Sequence, residues 1–300
     1  MQEQERAKYE VDVYENYIEF ISSIHKECGE KWNWSDIVNS DPPQKPQLQN
    51  NNEALAQKKY DEYKPSLSDK FFRRVKRNIA AFEKDIKNAK EVDQQEYKKA
   101  LDEYEIDLRE WTKVTNLGRK ICADDPSAYI EALTEFNPFE EIKNIGSGIS
   151  FVCKSKNLMI CDLHVHDEKT IPKEIKSLMK SGKLSVRPLP QSKYYDLYQD
   201  YVCGCVLRIA REIFALLPLE TVIVNAKGDL LNKSSGHIEN VTILSVAMPR
   251  KTIEILKFDT LDPSDSMNIF INHMGFKRSQ GFYPVEDIKL QDISSFQNSI

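Results

Sequence analysis

The sequence predicts an α+β (or α/β) fold, with a helical N-terminal half containing a coiled-coil-like helical hairpin, then a mixed-sheet domain around a long buried helix. Three observations predict it. Apolar residues between Phe72 and Trp111 recur at intervals of three and four, the spacing of a helical seam. Residues 221–226 and 241–248 are unbroken β-branched and aliphatic runs, as expected of central strands covered on both faces. Residues 202–217 are apolar on nearly every side, so the helix they form must be buried.

Composition bounds the possibilities. A chain of 300 residues with 40 % apolar content has the length for one large or two ordinary domains with a real core, which excludes a disordered tail or a short disulfide scaffold. A charged fraction of 30 % and a mean hydropathy of −0.55 place part of that length in well-solvated helices. The six cysteines (Cys28, Cys122, Cys153, Cys161, Cys203 and Cys205) are scattered and mostly flanked by apolar neighbours, as reduced core thiols are. No stretch approaches the roughly 20 apolar residues that cross a bilayer, and the first ten residues lack an apolar leader segment. The expectation is a soluble, cytoplasmic chain with no membrane association. A net charge of −5 supplies no general attraction to phosphate, so nucleic-acid binding has to be argued from a local patch.

The elements follow in order. Tyr9, Val13, Tyr17, Phe20, Ile21 and Ile24 place an apolar face on a first helix that ends near Gly29, within an N-terminal segment 1–40. Pro42, Pro43 and Pro46 and the polar run after them make 41–52 a linker. Residues 53–145 read as helical. Phe72, Val75, Ile79, Phe82, Ile86 and Ala89 form one heptad seam; Tyr97, Leu101, Tyr104, Leu108 and Trp111 form a second. The registers differ, and Asp93 with Glu96 has the form of an N-terminal capping pair. This predicts an antiparallel hairpin turning at 91–94, in preference to one rod over 68–122. Asp125 and Pro126 start a short helix.

A second domain, 149–300, has the other period. Residues 149–154 and 158–166 form a strand hairpin, 172–180 a short helix, and 184–187 a strand. Ser192 caps the buried helix, which stops at Pro218. After the strands at 221–226 and 241–248 come a strand at 252–258, a helix at 264–274 capped by Asp262, and an edge strand at 282–288. From Ser192 this element order is similar to that of the restriction-endonuclease-like fold. That resemblance implies a metal-holding aspartate near the second strand and an acid-x-Lys pair on the third. Asp229 matches the first requirement, but 241–248 has no ionisable side chain and Glu254 to Lys257 is one residue too long. What the resemblance implies is a catalytically degenerate relative with a nucleic-acid-binding role.

Few residues suggest chemistry. On a strand, Asp162, His164 and His166 share one face while Cys161, Leu163 and Val165 face the core. Two imidazoles and a carboxylate at that spacing suit a divalent metal, so a metal-dependent hydrolase is one reading; no other cofactor is predicted. Lys70, Arg73, Arg74, Lys76 and Arg77 could hold phosphate of a nucleic acid or an acidic partner, against the simpler reading of a solvated helical face. Ser147 between Gly146 and Gly148 precedes a strand instead of a helix, so it lacks the amides of a phosphate loop. Cys203 and Cys205 lie two apart on a helix and point to different sides. Asp196, Asp200, Arg208, Arg211 and Glu212 are polar islands on the buried helix, of interest if they line a cleft. No motif assigns an enzymatic reaction. The first expectation is an interaction or regulatory protein, in which Tyr97, Leu101, Tyr104, Leu108 and Trp111 mediate self-association or bind a protein partner and the α/β domain binds a partner or ligand.

Overall fold

The computed structural model describes residues 2–140, 142, 148–165 and 170–292. The fold is α+β, and its contacts divide the chain into two units: Met1–Asn33 with Lys120–Ile300, and Trp34–Arg119.

The first unit contains α1 (Gln2–Ser23), α6 (Pro126–Phe136), β1 (Gly148–Ser155), β2 (Leu158–Val165), β3 (Glu174–Leu178) and β4 (Leu184–Pro188). Next come α7 (Gln191–Leu216), β5 (Thr221–Leu231), β6 (Ile238–Pro249), α8 (Arg250–Glu254) and α9 (Pro263–Ser266). A 3₁₀ turn (Met267–Ile269), β7 (Ile271–Met274), β8 (Phe276–Lys277) and β9 (Gly281–Phe282) end it. Among the described residues the main sheet has the order β1-β2-β5-β6-β7; β2 and β5 are parallel and the other neighbours antiparallel. Parallel neighbours need a long crossover, and α7 lies within it. Every residue from Tyr201 to Ala210 is buried, as an all-round apolar helix requires. The face of the sheet opposite α7 holds Ile223 and Ala247, closed over by Ile288.

Local signals explain much of this. Asp125 accepts from Ser127 N and Pro126 takes the first turn of α6, as expected. Asp262 likewise accepts from Asp265 N at the start of α9. The buried and half-buried residues alternate along β2 as the sequence predicts.

Other expectations are corrected. Within the expected helix 172–180, Glu174–Leu178 form β3, paired with β4 and packed on α1, because partnership with a strand outweighs a weak helical pattern. The strand expected at 252–258 is instead α8: Pro249 ends β6, and Arg250 turns back to donate to the carbonyls of Phe214, Leu217 and Leu219 at the end of α7. This removes the third strand from the endonuclease-like element order. The helix expected at 264–274 stops at the 3₁₀ turn, where β7 joins the sheet edge beside β6. Of the edge strand at 282–288, only β9 pairs, with β8. α7 begins after Pro190, ahead of Ser192. On α1 the buried stripe is Ala7, Val11 and Ile21, while Tyr9, Val13 and Phe20 are exposed. A Cβ added at Gly204 of α7 would meet Ile24 at 2.9 Å, so the segment just after α1 approaches α7 closely because that residue is glycine.

The second unit contains α2 (Trp34–Val38), α3 (Asn51–Asp61), α4 (Leu67–Phe71) and most of α5 (Val75–Cys122). α5 is one helix of 48 residues, about 72 Å long, with no turn at 91–94. That stretch holds neither Gly nor Pro, and Asp93 caps a different helix. Its carboxylate accepts from Asn52 N (3.1 Å) and Glu53 N (2.8 Å) at the start of α3, while Glu96 accepts from the Asn52 amide. At the other end of α3, Tyr60 and Tyr63 pack on Phe82. α3 therefore runs antiparallel to α5, and the hairpin of this fold turns through 62–74. Phe72 lies outside both helices and is exposed, so it is not part of the first seam.

Burial raises the Asp93 carboxyl pKa, but the amides of Glu53 and Asn52 outweigh it and the net pKa is lowered. A depressed carboxyl stabilises the fold above its unfolded pKa, near 4, and the contribution disappears as pH falls through the lower folded value. Hydrogen exchange should therefore show the Asn52 and Glu53 amides protected at neutral pH and losing protection below about pH 4. In Asp93→Ala they should exchange freely at every pH while α5 stays helical; retained protection in that variant would show that the cap is dispensable.

Candidate functional site

One candidate cavity lies in the sheet unit. An open cleft of about 460 Å³ is lined by the loop Glu27, Cys28, Gly29, by Trp32 and Phe136, and by Arg208 and Glu212 of α7. The Trp32 and Phe136 rings lie 4.3 Å apart. Arg208 and Glu212 are one turn apart and both buried, so their charges demand partners. Glu212 Oε1 accepts from Arg208 Nε at 2.6 Å, and both Glu212 oxygens accept from Gly29 N at 3.1 Å. A Cβ at position 29 would lie 3.0 Å from Glu212 Oε2, so the carboxylate reaches that amide because the residue is glycine.

The same loop is bolted twice more to α7. Arg211 donates to the carbonyls of His25, Lys26 and Glu27, and its guanidinium lies 3.9 Å from the centre of the Phe258 ring. Trp32 N donates to Ala215 O at 2.8 Å. Of the polar islands on the buried helix, Arg208 and Glu212 line this cleft, and Arg211 and Glu212 hold the loop after α1 in place. Burial, then the charge of Glu212, pushes the Cys28 thiol up against the pull of Arg211 and Arg208, so Cys28 stays a protonated thiol and not a nucleophile. His25 is buried, and burial followed by Lys26 and Arg211 pushes its imidazole pKa down, which keeps it neutral. The cleft combines an aromatic wall with a polar floor held by hydrogen bonds.

The second place is the sheet face that bears Asp162 and His164; His166 lies outside the described residues. Asp162, Asn225, Ser245 and His273 are successive register partners across β2, β5, β6 and β7. They form a continuous polar row. Lys227 Nζ and Asn225 Nδ2 donate to Asp162 at 2.7 and 3.0 Å, Ser245 Oγ donates to Asn225 Oδ1 at 2.7 Å, and Ile288 N donates to Ser245 Oγ at 2.9 Å. The row therefore holds the C-terminal segment against the sheet. Burial raises the Asp162 carboxyl, but Lys227 and Asn225 outweigh it and the net pKa is lowered. Among the described residues no three His, Cys, Asp or Glu side chains group as metal ligands would. Sequence reasoning passed over Asn225 and Ser245; the signal was available, since each is a polar residue inside an otherwise apolar strand run.

Remaining candidates are placed as follows. Cys161, Cys203 and Cys205 are buried thiols raised by burial, Cys205 to about 12, and hence unreactive. Asp200 is raised by burial, and Asp196 pairs with Arg278. Gly146 and Ser147 lie outside the described residues. In the helical unit, Tyr97, Leu101, Tyr104, Leu108 and Trp111 are half-buried along one stripe of α5. Trp111 Nε1 donates to Ser40 Oγ at 2.9 Å, and Asp93, on the same stripe, holds Asn52. The proline-rich segment 41–50 is pinned at both ends to that stripe, and an extended chain of this length spans the roughly 27 Å of helix between the two anchors. Lys70, Arg73, Arg74, Lys76 and Arg77 are exposed around the turn from α4 to α5. Among the described residues no helix is long and apolar enough to cross a membrane.

Comparison of the chain with protein-family models, with curated proteins and with solved structures finds no match.

Two outcomes test these assignments. Glu212→Ala leaves a buried guanidinium with its main carboxylate partner removed, and chemical denaturation should show a loss of about 3–5 kcal/mol, with the double variant Arg208→Met/Glu212→Leu losing markedly less. In Lys227→Met, the Asp162 carboxyl pKa read by ¹³C NMR should rise; an unmoved titration would show that Lys227 does not hold it down.

Proposed function

We propose that the chain is an interaction protein: its helical unit engages a macromolecular partner, and its sheet unit is a packed support with a binding cleft at Arg208 and Glu212. One observation carries the reading, the distribution of apolar side chains in residues 34–119. The seam of α5 is half-buried, whereas Leu67 and Phe71 are 86 % and 82 % exposed, the highest values for large apolar side chains among the described residues. Side chains that add nothing to a core, gathered beside cations at one turn, are what a contact surface needs. A polar floor already engaged in holding a loop, and thiols kept protonated, add no catalytic reading to set beside this one.

The test compares material co-purified with the intact chain and with Leu67→Ser/Phe71→Ser. Substitution of exposed side chains moves stability by only about 0.5 kcal/mol, so melting temperatures should match closely. Quantitative analysis of bound proteins and lipids should show a defined set lost from the variant. An identical bound set, or a melting temperature several degrees lower, overturns the reading.

A further inference from the structure

We infer that the turn joining α4 to α5 is a docking tip for an anionic phospholipid surface, an inference that rests on reading the helical unit as the docking element. Leu67 and Phe71, with Phe72 at 59 % exposure, stand out from the turn, and such exposure leaves no flanking walls of the kind a peptide groove has. Around them lie Lys70, Arg73, Arg74, Lys76 and Arg77, all exposed.

The acid within this stretch is turned away from the surface. Asp69 accepts from Ser66 N (3.1 Å), Ser66 Oγ (2.8 Å) and Tyr63 OH (3.3 Å), and its other oxygen from Asn78 Nδ2 (3.4 Å). With Ser66 Oγ accepting from Asp69 N, these bonds close a capping box that fixes α4. Arg73, held at φ 53°, then reverses the chain into α5. The tip is a built turn that presents apolar and cationic side chains together.

Charge selects the class of partner, and shape selects within it. Five exposed cations in eight residues match a phosphate-bearing surface, each worth roughly fivefold in affinity at an anionic bilayer. Single-stranded nucleic acid also offers phosphate, but its bases stack on open aromatic faces. Here the guanidinium of Arg74 lies 5.0 Å from the centre of the Phe72 ring, and Leu67 has no π-face to offer. A fluid interface accepts a convex cluster of Leu and Phe beneath a ring of cations, because the apolar side chains enter the acyl boundary while the cations stay among the headgroups. This is contact from one side, distinct from spanning.

Flotation of the full chain with vesicles tests the inference, using phosphatidylcholine alone and phosphatidylcholine with phosphatidylserine in a three-to-one ratio. The intact protein should float with the anionic vesicles only, and less as salt rises. Leu67→Ser/Phe71→Ser should weaken binding at least about tenfold, since each side chain loses most of its buried apolar area. Ile238→Ser, at an apolar residue 72 % exposed on the β5–β6 hairpin, should leave it unchanged. Phe71→Trp supplies a gain of signal that does not depend on a damaged variant: its fluorescence should shift to the blue on anionic vesicles. The inference is overturned by no flotation, by flotation equal on both vesicles, by no effect of the double variant, by an unshifted tryptophan, or by tighter binding to single-stranded RNA than to vesicles. Where flotation fails while the co-purified set still depends on Leu67 and Phe71, only the lipid inference falls; where both fail, the interaction reading falls too.

Discussion

The burial of α7 is the constraint on which the sheet unit depends. A helix apolar on nearly all sides has no face it can leave to water, so cover has to arrive from several directions. The sheet supplies one side, packing through β5, and α1 another, with Ile24 just past its end set against Gly204. α9 supplies a third. This is why residues 1–33, remote in sequence from the sheet, share a contact unit with it. The polar residues of α7 then serve the cover they need: Arg211 and Glu212 hold the loop after α1, and Arg250 donates to the carbonyls that the end of α7 leaves open.

The helical unit solves the opposite problem. A 48-residue helix with one apolar stripe has far too much surface to bury within its own unit. Segment 41–50, anchored at both ends to that helix, runs without a helix of its own, and prolines suit that role because they fix the backbone in advance and demand no amide partners. Asp93 makes the arrangement specific, since one carboxylate both ends the extended segment and starts α3. With the stripe half-covered, the strongest apolar exposure falls at the α4–α5 turn, where no element of the unit covers Leu67 or Phe71.

Legibility followed the range of the interaction. At several local signals the sequence and the structure agree: the cap at Asp125 and Pro126, the cap at Asp262, the alternation along β2, the all-round apolarity of α7. Where a segment's state depends on what lies beside it, they part. Residues 172–180 have a weak helical pattern and a strand partner, and the partner decides. Along α1 the expected apolar face and the buried one share Ile21 but differ at Tyr9, Val13 and Phe20, which stay exposed while Ala7 and Val11 are buried. Asp93 and Glu96 were readable as a cap, but which amides they cap is a fact of three dimensions.

The same division holds for the candidate site. Arg208, Glu212, Asp162 and the basic run at 70–77 were each visible as residues whose chemistry has to be accounted for, because a charge on an apolar helix or strand always needs a reason. What sequence by itself determined was therefore the class of fold, the buried helix and the set of groups awaiting partners. The tertiary structure alone decided that Arg208 and Glu212 face a cleft and hold a loop, that Asp162 belongs to a row of hydrogen bonds across three strands, and that Leu67 and Phe71 are left open to solvent. The reason is physical: backbone propensity and periodicity act over a few residues, whereas burial and charge pairing are settled by whichever distant segment arrives to share the space.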